Sequence, residues 1–434
     1  MRRPALLLLG VLAVPRAAHA DDYSLHVLGN LQTSWTDNLL ATEDDRESDL
    51  YTQLRPGALL SYETPRAIYE AAYNLEASLY ARNDDAYSIS HLATLRGFFL
   101  TSPRTELQTS AAFATGDVRT LTLQAAPTIP GEAGMINGNS ASAFWSLDAG
   151  QGLLFNATRA LRLSQGARVR RFSTADATGA DSGGSELGLS VGLDRGWSRS
   201  ALGFGLTASY VTLEQAATTT DSINSNLLVS FRRDFSPRWT ALVDSGVAAV
   251  MPFDDQVFVQ PTVGANLGYT PNWGQANLAL RRAMAPNLYL AQNTITDSVN
   301  LNASLPLPWL SPDPNRPRLT TQGSIGVSRT QQIVDGALTA GADVASIDLA
   351  VQYNPRPGLT LMARGQYLRQ VAEDVMIVER ATPTFAYDRT TISLSLTFRF
   401  PDRLAAEVPI RDSLRVDRGG NTPVGDEVAP SVAP

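Results

Sequence analysis

The chain has 434 residues, of which 35 are basic and 42 acidic, giving a formal net charge of −7, and it has no cysteine. Without a thiol there can be no disulfide framework, thiolate metal site, cysteine nucleophile or lipoprotein-type anchor. The basic residues are all Arg, never Lys, and none of them gather into a tract dense enough to hold nucleic acid.

The first segment, residues 1–20, reads as a secretory signal. Arg2 and Arg3 precede an apolar run from Ala5 to Val14, and Ala18-His19-Ala20 offers a small-x-small cleavage site, so the mature chain is expected to begin at Asp21. That run is too short to cross a bilayer, and no later stretch approaches the roughly 20 apolar residues a transmembrane helix needs. If the chain spans a membrane, it does so as a closed barrel of strands.

From residue 21 onward the dominant signal is alternation with period two. In residues 69–82, Tyr69, Ala71, Tyr73, Leu75, Ala77, Leu79 and Ala81 oppose Glu70, Asn74, Glu76, Ser78 and Arg82. Leu187, Leu189, Val191 and Leu193 oppose Glu186, Ser190 and Asp194. Val299, Leu301, Ala303 and Leu305 oppose Ser298, Asn300, Asn302 and Ser304, and Ile347, Leu349, Val351 and Tyr353 oppose Asp348 and Gln352. One face suits lipid and the other water, which is the pattern of outer-membrane strands. Soluble sandwiches alternate too, so the connections must decide.

Short turns recur with similar chemistry at Thr64-Pro65-Arg66, Ser102-Pro103-Arg104, Ser236-Pro237-Arg238, Thr270-Pro271-Asn272 and Asn354-Pro355-Arg356, with Trp197-Ser198-Arg199 as a relative without proline. Between them, residues 37–49, 115–142, 175–184, 214–221, 286–293, 330–343 and 373–387 read as longer connections, often acidic. A two-strand unit of roughly 34 to 43 residues therefore repeats along the chain. Tight periplasmic turns and long outer loops alternate in this way in outer-membrane barrels. The reading predicts an all-β, antiparallel, up-and-down transmembrane barrel of about eighteen strands over residues 21–400, wide enough for an aqueous lumen.

Its last strand alternates Ile392, Leu394, Leu396, Phe398 and Phe400 with Ser393, Ser395, Thr397 and Arg399, and its aromatic end is the kind the barrel assembly machinery recognises. Residues 401–434 read as a periplasmic tail with no core of its own.

Catalytic and cofactor signatures are missing. Of the two histidines outside the signal, His91 shares a face with Tyr87, Ile89, Ala93 and Leu95, and His26 alternates with Leu25 and Val27. Neither offers the base that a rim serine nucleophile needs, and no metal-ligand spacing or phosphate-cradling loop is present. No enzyme activity, metal or cofactor is expected. Turning the Leu-rich face outward assigns Glu70, Glu76, Arg82, Arg162, Arg168, Arg170, Arg232, Arg281, Arg364 and Arg399 to the lumen. There they form either a simple solvated wall or a track for a polar ligand. Trp35, Trp145 and Tyr62 suit membrane-interface girdles. The Gly-rich insert at 131–139 is either an inward constriction or an ordinary exposed loop.

Thr36-Asp37-Asn38-Leu39, followed by Glu47-Ser48-Asp49 and Arg55-Pro56-Gly57, resembles the opening hairpin of the β-barrel porin family found beside exopolysaccharide and exosortase loci. Within that family the chain resembles the eighteen-stranded outer-membrane polysaccharide-secretion porins of myxobacteria, over roughly residues 23–400. The resemblance implies outward passage of a secreted polysaccharide in a Wzx/Wzy-type pathway, with a periplasmic polysaccharide-export protein as partner and outer-membrane lipid as surroundings. Composition and spacing alone leave a general or solute-specific diffusion porin, or a structural or adhesin barrel, equally open.

Overall fold

The computed structural model describes residues 22–401 except 40, 45, 84–86, 118–142, 176–180, 216–217, 254–255, 289–290, 308–317, 335–336 and 373–385. The expected signal, the insert at 131–139 and the tail beyond Pro401 lie outside the described residues.

Eighteen strands follow one another: β1 (Asp22–Thr36), β2 (Asp49–Thr64), β3 (Ala67–Tyr80), β4 (Ser88–Ser102), β5 (Thr105–Asp117) and β6 (Ala143–Asn156). Next come β7 (Leu161–Ala175), β8 (Asp181–Gly196), β9 (Ser200–Gln215), β10 (Thr218–Ser236), β11 (Trp239–Pro252) and β12 (Phe258–Tyr269). The chain ends with β13 (Gln275–Asn287), β14 (Gln292–Pro306), β15 (Leu319–Val334), β16 (Ala337–Arg356), β17 (Leu359–Ala372) and β18 (Tyr387–Phe400). Each pairs antiparallel with its sequence neighbours, and β1 pairs with β18 from Val27↔Phe400 to Thr36↔Thr391, so the sheet closes on itself. This is an outer-membrane type of barrel, and its fold class and strand number match the sequence expectation.

Alternation sets the faces. Leu189, Leu349 and Leu394 stand 59%, 62% and 65% exposed, with apolar residues two apart above and below them. An apolar surface that surrounds the whole molecule has only lipid as a stable partner. Aromatic rings mark its edges. At the short-turn end Tyr23 stacks on Tyr62 (4.4 Å), Tyr62 on Tyr69 (5.7 Å), and Tyr69 meets Phe99 edge-on, while farther round Trp239 stacks on Tyr269. Trp35 and Trp145 lie on the outer face toward the other end, Trp145 beneath the Arg171 guanidinium. These girdles place the barrel in the outer membrane with its short turns at one interface.

The turns use the predicted chemistry. Thr64 Oγ1 accepts from the Ala67 amide, Ser102 Oγ from Arg104, and Ser236 Oγ from Arg238. One turn is displaced. Asn354–Arg356 belongs to β16, and the chain reverses at Pro357-Gly358, where Gly358 has φ 73°. Asn354 instead accepts from Thr360 at 2.8 Å, beside a register shift between Tyr353 and Arg356.

The connections expected at 37–49, 115–142 and 373–387 fall between the strands within three residues at either end, and four others are shorter than expected. Only residues 176–180, 216–217, 288–291 and 335–336 separate strands where 175–184, 214–221, 286–293 and 330–343 were expected to do so. Strands here outlast the roughly 9–11 residues needed to span the bilayer. Above the lipid both faces meet water, so stretches such as Thr218-Thr219-Thr220 keep β-branched strand geometry without any apolar alternation to reveal it. Conversely, the β14–β15 connection, at the short-turn end, spans 307–318.

The motif residues of the opening hairpin fasten the seam where the barrel closes. Asp37 Oδ1 accepts from the Thr390 amide at 2.6 Å, and Asn38 donates to the carbonyls of Asp388 and Thr42. Leu39 packs on Tyr51 and Tyr80. Asp49 accepts from the amides of Leu50, Arg82 and Asn83, joining this loop to the end of β3. Thr36–Leu39 and Asp49 are therefore structural staples in this chain.

Candidate functional site: the inner wall and its inward hairpin

The inner faces carry the chemistry. Glu70 and Glu76 lie on the inner side of β3, opposite the row of Tyr69, Tyr73 and Leu79. Glu70 stands across from Arg96 in register, and Glu76 binds Arg55 Nε at 2.6 Å while accepting from Gln53 at 2.9 Å. Arg162, Arg168 and Arg170 share the inner face of β7, since Leu163 and Val169 point outward. Arg162 faces Asp194 in register. Arg168 pairs with Asp148, and Arg170 lies 3.7 Å from Asp148 and 3.4 Å from Glu186.

On β10, Arg232 pairs with Asp234 at 3.3 Å, and Arg364 on β17 pairs with Asp348 at 2.6 Å. Arg281 and Asp244 flank Gly264, which lies between them in register. A Cβ at Gly264 would sit 2.3 Å from Asp244 Oδ2, so the glycine leaves room for the carboxylate to lean toward β13. Arg399 is on the inner face of β18 near the short-turn end, opposite Leu28.

Arg82 differs from the rest. It lies beyond the end of β3, exposed, with its guanidinium near Ser48. The ladder stops where the Ala81 amide meets the Leu50 carbonyl and Asp49 takes over the next two amides. Alternation read through this point because Arg82 happens to keep the parity of the strand.

The histidines fall on opposite faces. His91 Nδ1 is 2.7 Å from the hydroxyl of Tyr73 on the lipid side. His26 is fully buried on the inner side, with Nδ1 3.1 Å from the Pro401 carbonyl.

The sequence gives less warning of the β13–β14 hairpin, which leaves the wall. β12 and β13 pair only between Val263↔Arg282 and Tyr269↔Ala276, whereas β11–β12 pairing continues up to Phe258. The two unpaired stretches contain Pro261 and Pro286, which have no N–H to give to a ladder and so belong at an edge. Past Arg282 the hairpin tip crosses the interior. Leu288 and Ala291 join a buried apolar cluster with Phe144, Phe172, Val211 and Leu213, inner-face residues of β6, β7 and β9.

Gly184 on β8 admits the tip, for a Cβ there would stand 3.0 Å from a Leu288 methyl and 2.8 Å from the Thr212 carbonyl. Ile295 has the parity of outward Val299 yet is 1% exposed. Arg282, outward by parity, donates to inner-face Gln260 at 3.3 Å and to Asp297 at 3.4 Å, where the strands part. The barrel is thus narrowed from within by its own hairpin. A signal existed: Pro286-Asn287-Leu288-Tyr289-Leu290-Ala291 is an apolar tip among polar and acidic ones.

No protein-family model matches the chain, and no curated protein matches it. Among solved structures it is similar to OccK2 (OpdF) of Pseudomonas aeruginosa in complex with glucuronate, at 12% identity, 87% coverage of this chain and 98% of that one, with a TM-score of 0.47. It is also similar to OccAB3 of Acinetobacter baumannii, at 12% identity, 87% and 100% coverage and a TM-score of 0.46. A third is the FrpB iron transporter (F3-3 variant) of Neisseria meningitidis, at 8% identity, 86% and 81% coverage and a TM-score of 0.48.

Proposed function

We propose that this chain is a passive outer-membrane porin through which a secreted polysaccharide leaves the cell, with upstream synthesis supplying the drive. The observation that supports it is the closed wall of eighteen strands, apolar outside, whose inner face carries hydrogen-bonding and ion-paired side chains. A barrel of this strand number leaves an aqueous channel. Hydroxyl-rich chains can exchange hydrogen bonds with such a wall without any one contact holding them. Outward direction, a Wzx/Wzy-type pathway and a periplasmic export protein as partner come from the resemblance of the opening hairpin. The reading includes no catalytic step.

Deletion of the gene followed by assay of surface polysaccharide tests it. Loss of surface polymer, restored by the intact chain, is expected; normal surface polymer in the deletion strain would sink the reading. A second reading, a diffusion porin for small solutes, is favoured by the inward hairpin, since a narrowed lumen suits sieving. It predicts an unchanged surface polymer and slower solute uptake in the deletion strain.

A further inference from the structure

We infer that the cargo of this lumen is uncharged: the wall is built to be electrically neutral to what passes, so the polymer it accommodates is a neutral, hydroxyl-rich one. This rests on the polymer-conduit reading and narrows it.

Around the circumference, inner arginines are matched by carboxylates within the sheet. Arg55 has Glu76 across β2–β3, and Arg168 and Arg170 share Asp148 and Glu186 across β6–β8. Arg364 has Asp348 across β16–β17, and Asp244 and Arg281 face the lumen on either side of Gly264. These partners come from different strands, so the matching is a property of the register and not of local sequence. Arg399 lies on the inner face of β18 across from Leu28, toward the short-turn end.

Physically, a row of unmatched arginines would set up a positive potential that gathers anions and repels cations, which is how charged clefts select. An arginine with a carboxylate within 4 Å acts instead as a dipole, and salt screens what remains beyond about 8–10 Å. An acidic polymer then meets carboxylates beside the guanidinium groups that would otherwise hold it. A neutral polymer meets donors and acceptors side by side and no repulsion of either sign. The side chains of Asp148, Arg168, Arg170 and Glu186 remain 16–27% exposed, so they can offer their outer hydrogen-bonding positions to a passing hydroxyl.

The test uses the purified full chain in planar bilayers and liposomes. Across a KCl gradient the wild type should reverse near zero voltage, with anion and cation permeability within about twofold. Removing carboxylates in D148N/E186Q should make it anion-selective, and R168Q/R170Q should move it to the cation side. In liposomes, a neutral dextran should leave at least as fast as a polyuronate of equal length. Strong selectivity of the wild type, or faster exit of the polyuronate, would overturn the inference. If ions pass with near-zero reversal but neither polymer does, the charge balance stands, the conduit reading fails, and with it the assignment of a polymer cargo.

Discussion

Asn224 on the inner face of β10 donates its side-chain amide to Asn293 Oδ1 at 2.7 Å, although alternation along β14 gives Asn293 the same parity as lipid-facing Val299 and Leu301. Both can hold only if the tip of the β13–β14 hairpin has slipped inside the barrel, so that its outward side meets the inner wall. The native chain has no cysteine, so N224C/N293C can be joined by a short thiol-reactive linker without background. Cross-linking in outer-membrane fractions is expected, and its absence in a correctly inserted barrel would reject the inward hairpin.

The tip is held chiefly by apolar contact. Replacing Leu288 with Asp puts a charge among Phe144, Phe172, Val211 and Leu213, where an unpaired carboxylate is costly. The hairpin should then detach and single-channel conductance should rise. Unchanged conductance would show that the tip does not set the narrowest section.

The two faces of one strand make a paired prediction. Leu189 on β8 is outward and 59% exposed, while Ser190 faces inward. Leu189→Arg should cost about 2–4 kcal/mol if it lies near the bilayer midplane, and Ser190→Arg far less. The change can be read as the temperature at which the barrel loses its compact form on a semi-native gel. Equal effects would contradict the face assignment.

At the closing seam, Asn38 bonds the carbonyls of Asp388 and Thr42 while Asp37 holds the Thr390 amide. Removing both side chains leaves backbone groups without partners, at about 1–3 kcal/mol each where buried. D37A/N38A should melt at a lower temperature while keeping wild-type conductance at room temperature. A lowered conductance with intact melting would make these residues part of the pore and not of the seam.

How far the sequence led is visible in particular elements. Leu187 through Leu193 announced a lipid face because the bilayer punishes any break in alternation, and Phe398 and Phe400 marked the last strand for the same reason. Glu76, Arg168 and Arg364 were placed inward by parity alone. Their partners Arg55, Asp148 and Asp348 were not identified, because cross-strand neighbours depend on a register that one strand does not specify. Arg82 kept the parity of β3 but lies past its end. The strands around Thr218 and Ala337 ran on into water, where alternation has no cause. The hairpin escaped notice because Pro286 and Leu288 were read as loop residues, when proline at an edge and leucine at a tip together signalled an apolar seat elsewhere in the barrel.

The central claim, a hydrated conduit wide enough for a sugar polymer, is tested most directly by loading liposomes with labelled neutral dextrans of graded size and measuring their release by the purified full chain. Release that falls off with dextran size, and increases for Leu288→Asp, is the predicted result. Retention of even the smallest dextran by liposomes that contain correctly folded barrels would contradict it.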